Sequence, residues 1–232
     1  MTPENLGHNK AKDALIKKLA HDFLNPTLLD EALHHSSMAG RSNERLEFLG
    51  DRVLGLVISE ALMAKYPEAD EGELAKRLGV LVSRHSCSEI AKQYNMAAPL
   101  ICDEHNENIM LSDNVMANLC EAIIAALYLD GGLKVASAFI LKAWTPMLNA
   151  MKDVPINPKS DLQEYTSRVG LGTPSYQLID KAGPDHAPII TVEVSLDNGL
   201  RLSAKAGSKK KAEIEAARIL LEKLLTGIVE TS

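Results

Sequence analysis

Apolar residues return at three- and four-residue steps over most of the first 150 positions. Leu15, Leu19 and Phe23 make one such series, and Leu28, Leu29, Ala32 and Leu33 a second. Leu46, Leu49, Val53, Leu54, Val57 and Ala61 make a third, and Leu119, Ile123, Ala126 and Leu127 a fourth. This period lines one face of a helix, so an all-α first domain is expected over residues 1–150. Pro155 and Pro158 then break the pattern. A residue preceding proline is pushed out of the helical region, which predicts a linker over 151–158.

The second domain, expected over 159–226, has a different texture. Leu162, Tyr165 and Val169 mark a short helix. Ile190, Val192, Val194 and Leu196 alternate with Thr191, Glu193 and Ser195, the period of a half-buried strand. Asp197-Asn198-Gly199 follows, and Asn-Gly is a strong hairpin signal because both residues tolerate positive φ. Leu200, Leu202, Ala204 and Ala206 continue on a return strand, Tyr176–Ile179 supplies a leading one, and a last helix is expected from Ser208 to Leu225. The order α-β-β-β-α describes one sheet covered by two helices, a small α+β domain.

Composition narrows the function. Hydrophobic residues make up 46% and charged residues 24% of the 232, enough to bury a core, while the 4% of aromatics makes that core aliphatic. Net charge is −6, which argues against coating nucleic acid by bulk charge but leaves room for a local basic patch. Residues 1–157 carry the whole −6, whereas 158–225 are at +1, a split that fits chemistry in one domain and binding in the other. No uninterrupted apolar run reaches the roughly 18 residues of a membrane span, so no membrane partner is expected. Met1–Asn5 shows no basic start leading into an apolar stretch, and so no secretion signal. Cys87, Cys102 and Cys120 are odd in number and lack metal-type spacing. Reduced thiols and a cytoplasmic location are expected.

The candidate chemistry lies in carboxylates. At about 100° per residue, Glu44, Glu47 and Asp51 fall within about 60° of one another on one helix face. Like charges so placed repel, and arginines or a metal ion could offset them. Arg45 and Arg52 project from other faces of the helix, which leaves a divalent cation as the economical partner. Glu121 stands in an apolar helix, where a carboxylate is expensive to bury unless paired or metal-bound, and Asn118 points the same way one turn earlier. Two packed helices offering oxygen ligands can enclose a metal, and all-oxygen ligation favours Mg²⁺ or Mn²⁺ over zinc. Spacing alone favours a solvated acidic face, because acidic stripes are common on helices.

The wording of the motifs points further. Asn43-Glu44-Arg45-Leu46-Glu47-Phe48-Leu49-Gly50-Asp51 closely resembles the nine-residue stretch that marks the ribonuclease III family. Ala32–Ser36, Tyr66–Leu74, and Glu121-Ala122 through Leu129–Gly132 resemble further segments of the same family, in order. Leu162–Tyr165 and Gly207–Glu213 resemble a double-stranded-RNA-binding domain. The resemblance implies an all-α endonuclease domain followed by that α+β domain, a homodimer, and Mg²⁺-dependent cleavage of double-stranded RNA, with Mn²⁺ a possible substitute. It further implies processing of rRNA and mRNA precursors to 5′-phosphate and 3′-hydroxyl ends.

By motif position, Glu47, Asp51 and Glu121 match the catalytic metal ligands, Glu44 a further acidic position, and Phe48 a residue of the dimer interface. Asn118 stands where the family pattern has Asp, still an oxygen ligand but with one negative charge fewer. The alternative is therefore a catalytically weakened variant that binds duplex RNA. Asp113, eight residues before Glu121, is a poor substitute because it falls about 80° round the helix. For RNA binding the resemblance implicates Gln163, Glu164, His186, Ser208, Lys209, Lys210 and Lys211. The lysines sit at an expected helix start, where backbone N–H groups and the helix dipole also favour phosphate. His35 is expected to be a packing residue.

Overall fold

The apolar steps of the first 150 residues do form helices. The computed structural model describes residues 3–35, 42–102, 112–184 and 187–226, and the chain divides into two units, Met1–Pro155 and Ile156–Ser232. The first unit contains α1 (Pro3–Leu19), α2 (Pro26–Ala32), α3 (Glu44–Lys65), α4 (Glu71–Leu81), α5 (Arg84–Tyr94) and α6 (Asp113–Ala150). Side-chain caps set several of the starts. Asp70 accepts from the Glu73 N–H, Ser83 from the Ser86 N–H and Ser112 from the Val115 N–H, each satisfying a first-turn donor that has no partner within its helix.

α1 stops before Phe23, short of the series Leu15, Leu19, Phe23. Ala20 turns to a φ of 55° and takes the chain off the helix axis, and Phe23 packs edge-on against the His21 ring instead. His21 Nε2 in turn donates to Asp130 on α6 at 2.7 Å, and the same carboxylate accepts from the backbone N–H groups of Leu24 and Asn25 at 2.9 and 2.8 Å. Two residues on, α6 bends at Gly132, whose φ of 74° and ψ of −177° suit only glycine.

α6 is the axis of this unit. Leu119, Cys120, Ala122, Ile123 and Leu127 are fully buried, and α3 lies along it with Val53, Leu54, Val57, Ile58 and Leu62 turned inward. By length and composition α6 meets the requirement for a membrane span that no uninterrupted apolar run met. Its apolar side chains are taken up by α2, α3, α4 and α5, which makes it a core helix. Trp144 near its end is buried and donates through Nε1 to the Leu81 carbonyl at 2.8 Å.

The second unit has α7 (Pro158–Arg168), β1 (Ser175–Ala182), β2 (Ile189–Ser195), β3 (Arg201–Ala206) and α8 (Lys209–Thr226). The strands form an antiparallel sheet in the order β1-β2-β3. Val192 pairs with Leu178 and Ala204, and Val194 with Tyr176 and Leu202. β1 runs longer than the expected Tyr176–Ile179, with an irregularity at Ile179 that shifts the register between Leu178 and Asp180. The β2–β3 turn uses Gly199 at a φ of 87°. Leu162 from α7 and Ala216, Ala217 and Leu220 from α8 close over Val194, Leu196 and Ala204.

Candidate active site

Glu44, Glu47, Phe48, Asp51 and Arg52 from α3, with Asn118 and Glu121 from α6, line one cleft of about 380 Å³. The acidic face of α3 arises because Leu46, Val53 and Leu54 bury the other side of the helix. The meeting with α6 depends on Gly50. A Cβ there would lie 1.8 Å from the Glu121 carbonyl oxygen, so only a residue without one lets the two backbones come this close. The glycine thus brings α3's carboxylates beside Glu121.

The carboxylates feel one another. Glu121 is pushed up to about 7, first by burial and then by the charges of Asp51 and Glu47, against a smaller opposing pull from the Cys87 thiol and Arg84. Glu47 is also raised, by burial first and then by Glu44 and Asp51. Among the described residues no three His, Cys, Asp or Glu side chains converge tightly enough to form a ready-made metal cage. The donor set nevertheless fits a hard divalent cation: carboxylate and amide oxygens, an excess of negative charge, and an open cleft that leaves positions for water and substrate.

Arg52 corrects the reading that it projects away from the acidic face. Its flexible stem brings the guanidinium back, where Nη1 donates to Asp51 Oδ2, and its Cζ lies 5.5 Å from the centre of the Phe48 ring. One residue is 100° of helix, but a long side chain spans that arc. Asp113 is committed elsewhere, accepting from Ser88 Oγ at 2.7 Å and Lys92 Nζ at 2.9 Å, and the Lys92 hydrogen bond lowers its pKa. His35 donates its backbone N–H to the Ile101 carbonyl and does not line the cleft.

From the cleft edge onward α3 shows a row of uncovered apolar side chains. Phe48 is 68% exposed, Leu56 49% and Met63 62%. These positions fall within about 80° of helix surface. The motif singled out Phe48 alone; Leu56 and Met63 were masked by neighbouring apolar residues that do enter the core.

In the second unit Gln163 and Glu164 on α7 and Lys209, Lys210 and Lys211 on α8 are exposed. Ser208 Oγ accepts from the Lys211 N–H at 3.3 Å, so its hydroxyl caps the helix. Lys159 on the first turn of α7 donates to Glu213 on α8 at 2.7 Å, which ties the starts of the two helices together. Gln163 follows Lys159 by one turn and so lies on that side. His186 falls outside the described residues.

Residues 25–148, the helices that build the cleft, match the family described as Ribonuclease-III-like. The chain belongs to the ribonuclease III family. Residues 158–224 match the double-stranded RNA binding motif. Two curated relatives named Ribonuclease 3 span nearly the whole chain. The one from Caulobacter vibrioides is 41% identical over 217 residues, covering 90% of this chain and 94% of its own length. The one from Rhodobacter capsulatus is 40% identical over 222 residues, 92% and 96% of the two chains. The nuclease domain of ribonuclease III from Campylobacter jejuni superposes with a TM-score of 0.55 at 34% identity, over 56% of this chain and 93% of that one. A ribonuclease III of this composition is an endoribonuclease that acts on double-stranded RNA, and its nuclease chemistry is metal-dependent.

Proposed function

We propose that this ribonuclease III works as a cytoplasmic homodimer with Mg²⁺, for which Mn²⁺ can substitute, and processes rRNA and mRNA precursors to 5′-phosphate and 3′-hydroxyl ends. The observation that carries the reading is the single cleft in which carboxylates of α3 and α6 raise one another's proton affinity. Such a site holds more negative charge than its surroundings balance, and a divalent cation relieves it. Glu47, Asp51, Asn118 and Glu121 would hold the ion, with Glu44 adding negative charge at the edge. When bound, the metal supplies charge neutralisation at the phosphodiester and a water of lowered pKa.

The chain's own residues do the remaining work. Glu121, whose pKa burial and the charges of Asp51 and Glu47 push up to about 7, can hold a proton near neutrality, and as a carboxylate it would serve as a ligand. Asn118 can accept a metal through its amide oxygen and donate through its NH₂ group. Lys209, Lys210 and Lys211 meet phosphates at the start of α8, while Gln163 and Glu164 reach toward the minor groove, the accessible groove of A-form RNA. The exposed row Phe48, Leu56 and Met63 supports the homodimer, since a second copy would cover it. The Campylobacter jejuni nuclease domain is described as having a region involved in dimer formation.

Asn118 supports a second reading, a protein that grips duplex RNA and cuts it weakly, because it lines the cleft without a charge. Incubation with a perfect RNA duplex, with and without Mg²⁺ and beside an Asn118→Asp variant, separates the two. The expected result is Mg²⁺-dependent cutting by the unaltered chain, with the aspartate reaching full rate at lower Mg²⁺. Binding without cuts, converted to cutting by the aspartate, would establish the weakened variant instead.

Replacing Lys209 and Lys210 with alanine should weaken binding alike across RNA sequences. It should also reduce the slope of log affinity against log salt by about one to two. A salt titration that superimposes on that of the unaltered chain would remove these lysines from the interface.

A further inference from the structure

A carboxylate sits among the cations of the second unit. Glu213, on the second turn of α8, accepts from Lys159 Nζ at 2.7 Å and lies 4.0 Å from the Nζ of Lys209, one turn before it. Lys159 Nζ also stands 4.3 Å from the centre of the Tyr176 ring on β1. The Tyr176 hydroxyl is buried and has no hydrogen-bond partner among the described residues. Burial first, and then the charge of Glu213, push the Tyr176 pKa up to about 12. The Glu213 side chain is only 16% exposed, so this is a packed junction of α7, β1 and α8 and not a loose surface pair.

By charge alone Glu213 is out of place. A negative group beside lysines that meet phosphate opposes RNA binding, and its removal would be a gain. The geometry gives it another task. Lys159 precedes Gln163 by one turn of α7, and Lys209 precedes Glu213 by one turn of α8, so the Lys159–Glu213 bond fixes the start of one helix against the start of the other. We propose that Glu213 is a positioning residue for duplex RNA. Through Lys159 it sets the spacing between Gln163 and Glu164 on α7 and Lys209, Lys210 and Lys211 on α8. That spacing has to match a fixed distance on the A-form helix, from a minor groove to the phosphates of the adjoining major groove. Lys159 is then a strut and not itself an RNA contact. The proposal rests on the reading of the three lysines as phosphate contacts.

The test is the affinity of the full chain for a perfect RNA duplex, measured by fluorescence anisotropy without divalent metal, so that no strand is cut. The temperature is one at which circular dichroism shows every variant folded. Glu213→Met should bind roughly two- to fivefold more weakly although it removes a negative charge, and Lys159→Met should lose a similar factor. Glu213→Gln keeps an acceptor in the same place and should retain most of the affinity. The double methionine variant should bind no more weakly than the weaker single one, because both substitutions break one bond. Glu215→Met removes the same charge from the part of α8 that pairs with Arg218 and should leave binding nearly unchanged. Tighter or unchanged binding by Glu213→Met, or losses that add in the double variant, would overturn the proposal. An unchanged salt titration when Lys209 and Lys210 are replaced with alanine would remove the reading beneath it, and the proposal with it.

Discussion

Gly50→Ala should destabilise the protein by about 3 kcal/mol and abolish RNA cleavage, although alanine is the better helix former. The added methyl would lie 1.8 Å from the Glu121 carbonyl oxygen and 2.5 Å from the carbonyl carbon. Both are backbone atoms of the core helix, which cannot move aside as a side-chain tip can. α3 must therefore lift off α6, opening the core around Val53 and Leu54 and parting Glu47 and Asp51 from Glu121. Gly55 supplies the control on the same helix, since a Cβ there meets nothing within 4 Å. Gly55→Ala should be neutral or stabilising by up to about 1 kcal/mol. Thermal unfolding of the two variants decides the matter. Equal melting temperatures would mean that the close approach of α3 and α6 at Gly50 does not matter.

Glu121→Gln should separate stability from activity. The substitution keeps the shape of the side chain and removes the charge that burial and neighbouring carboxylates oppose. In the folded chain the Glu121 pKa is raised from its ordinary 4.5 to about 7, so the native state holds more proton than the unfolded state between those values. The stability linked to that proton is fully present below the unfolded pKa and is lost as pH rises through about 7. Without metal, the glutamine variant should therefore gain on the unaltered chain as pH is raised from about 5 to about 8. With metal the readout is cleavage. Removing the carboxylate proposed as a direct ligand should lower it by at least about a hundredfold, the upper end of what an outer-shell partner contributes. A glutamine variant that cuts at the normal rate, or whose stability tracks the unaltered chain at every pH, would contradict this role for Glu121.

The parts of the site that lie on one helix were legible in the sequence. The period of 3.6 residues places Glu44, Glu47 and Asp51 on one stripe, and Asn118 with Glu121 on another. Alternation and the Asn-Gly turn gave the β2–β3 hairpin in the same way, because strand period and turn chemistry are local. That the two stripes meet was expected from the carboxylates and the resemblance, but what lets α3 come so close to α6 was not legible. It depends on Gly50 meeting a backbone atom of residue 121, a contact between positions far apart in sequence. Arg52 was misplaced because residue spacing gives the direction of Cβ, not the end of a long, flexible side chain. Leu56 and Met63 were hidden for a related reason. An apolar residue on a helix reads as core until the packing partners are known, and α3 has more apolar positions than α6 can cover. The early end of α1 came from the turn at Ala20 and the bond between His21 and Asp130, which no local pattern announces.

The most direct test of the account is to locate the metal. Crystals of the unaltered chain grown with Mn²⁺, from a preparation whose Mn²⁺-dependent cleavage of duplex RNA is measured first, would reveal it by anomalous scattering. The expected result is a manganese peak between α3 and α6, within ligand distance of Glu47, Asp51 and Glu121. A cleft without manganese, in protein that cuts duplex RNA in an Mn²⁺-dependent manner, would show that the chemistry happens elsewhere.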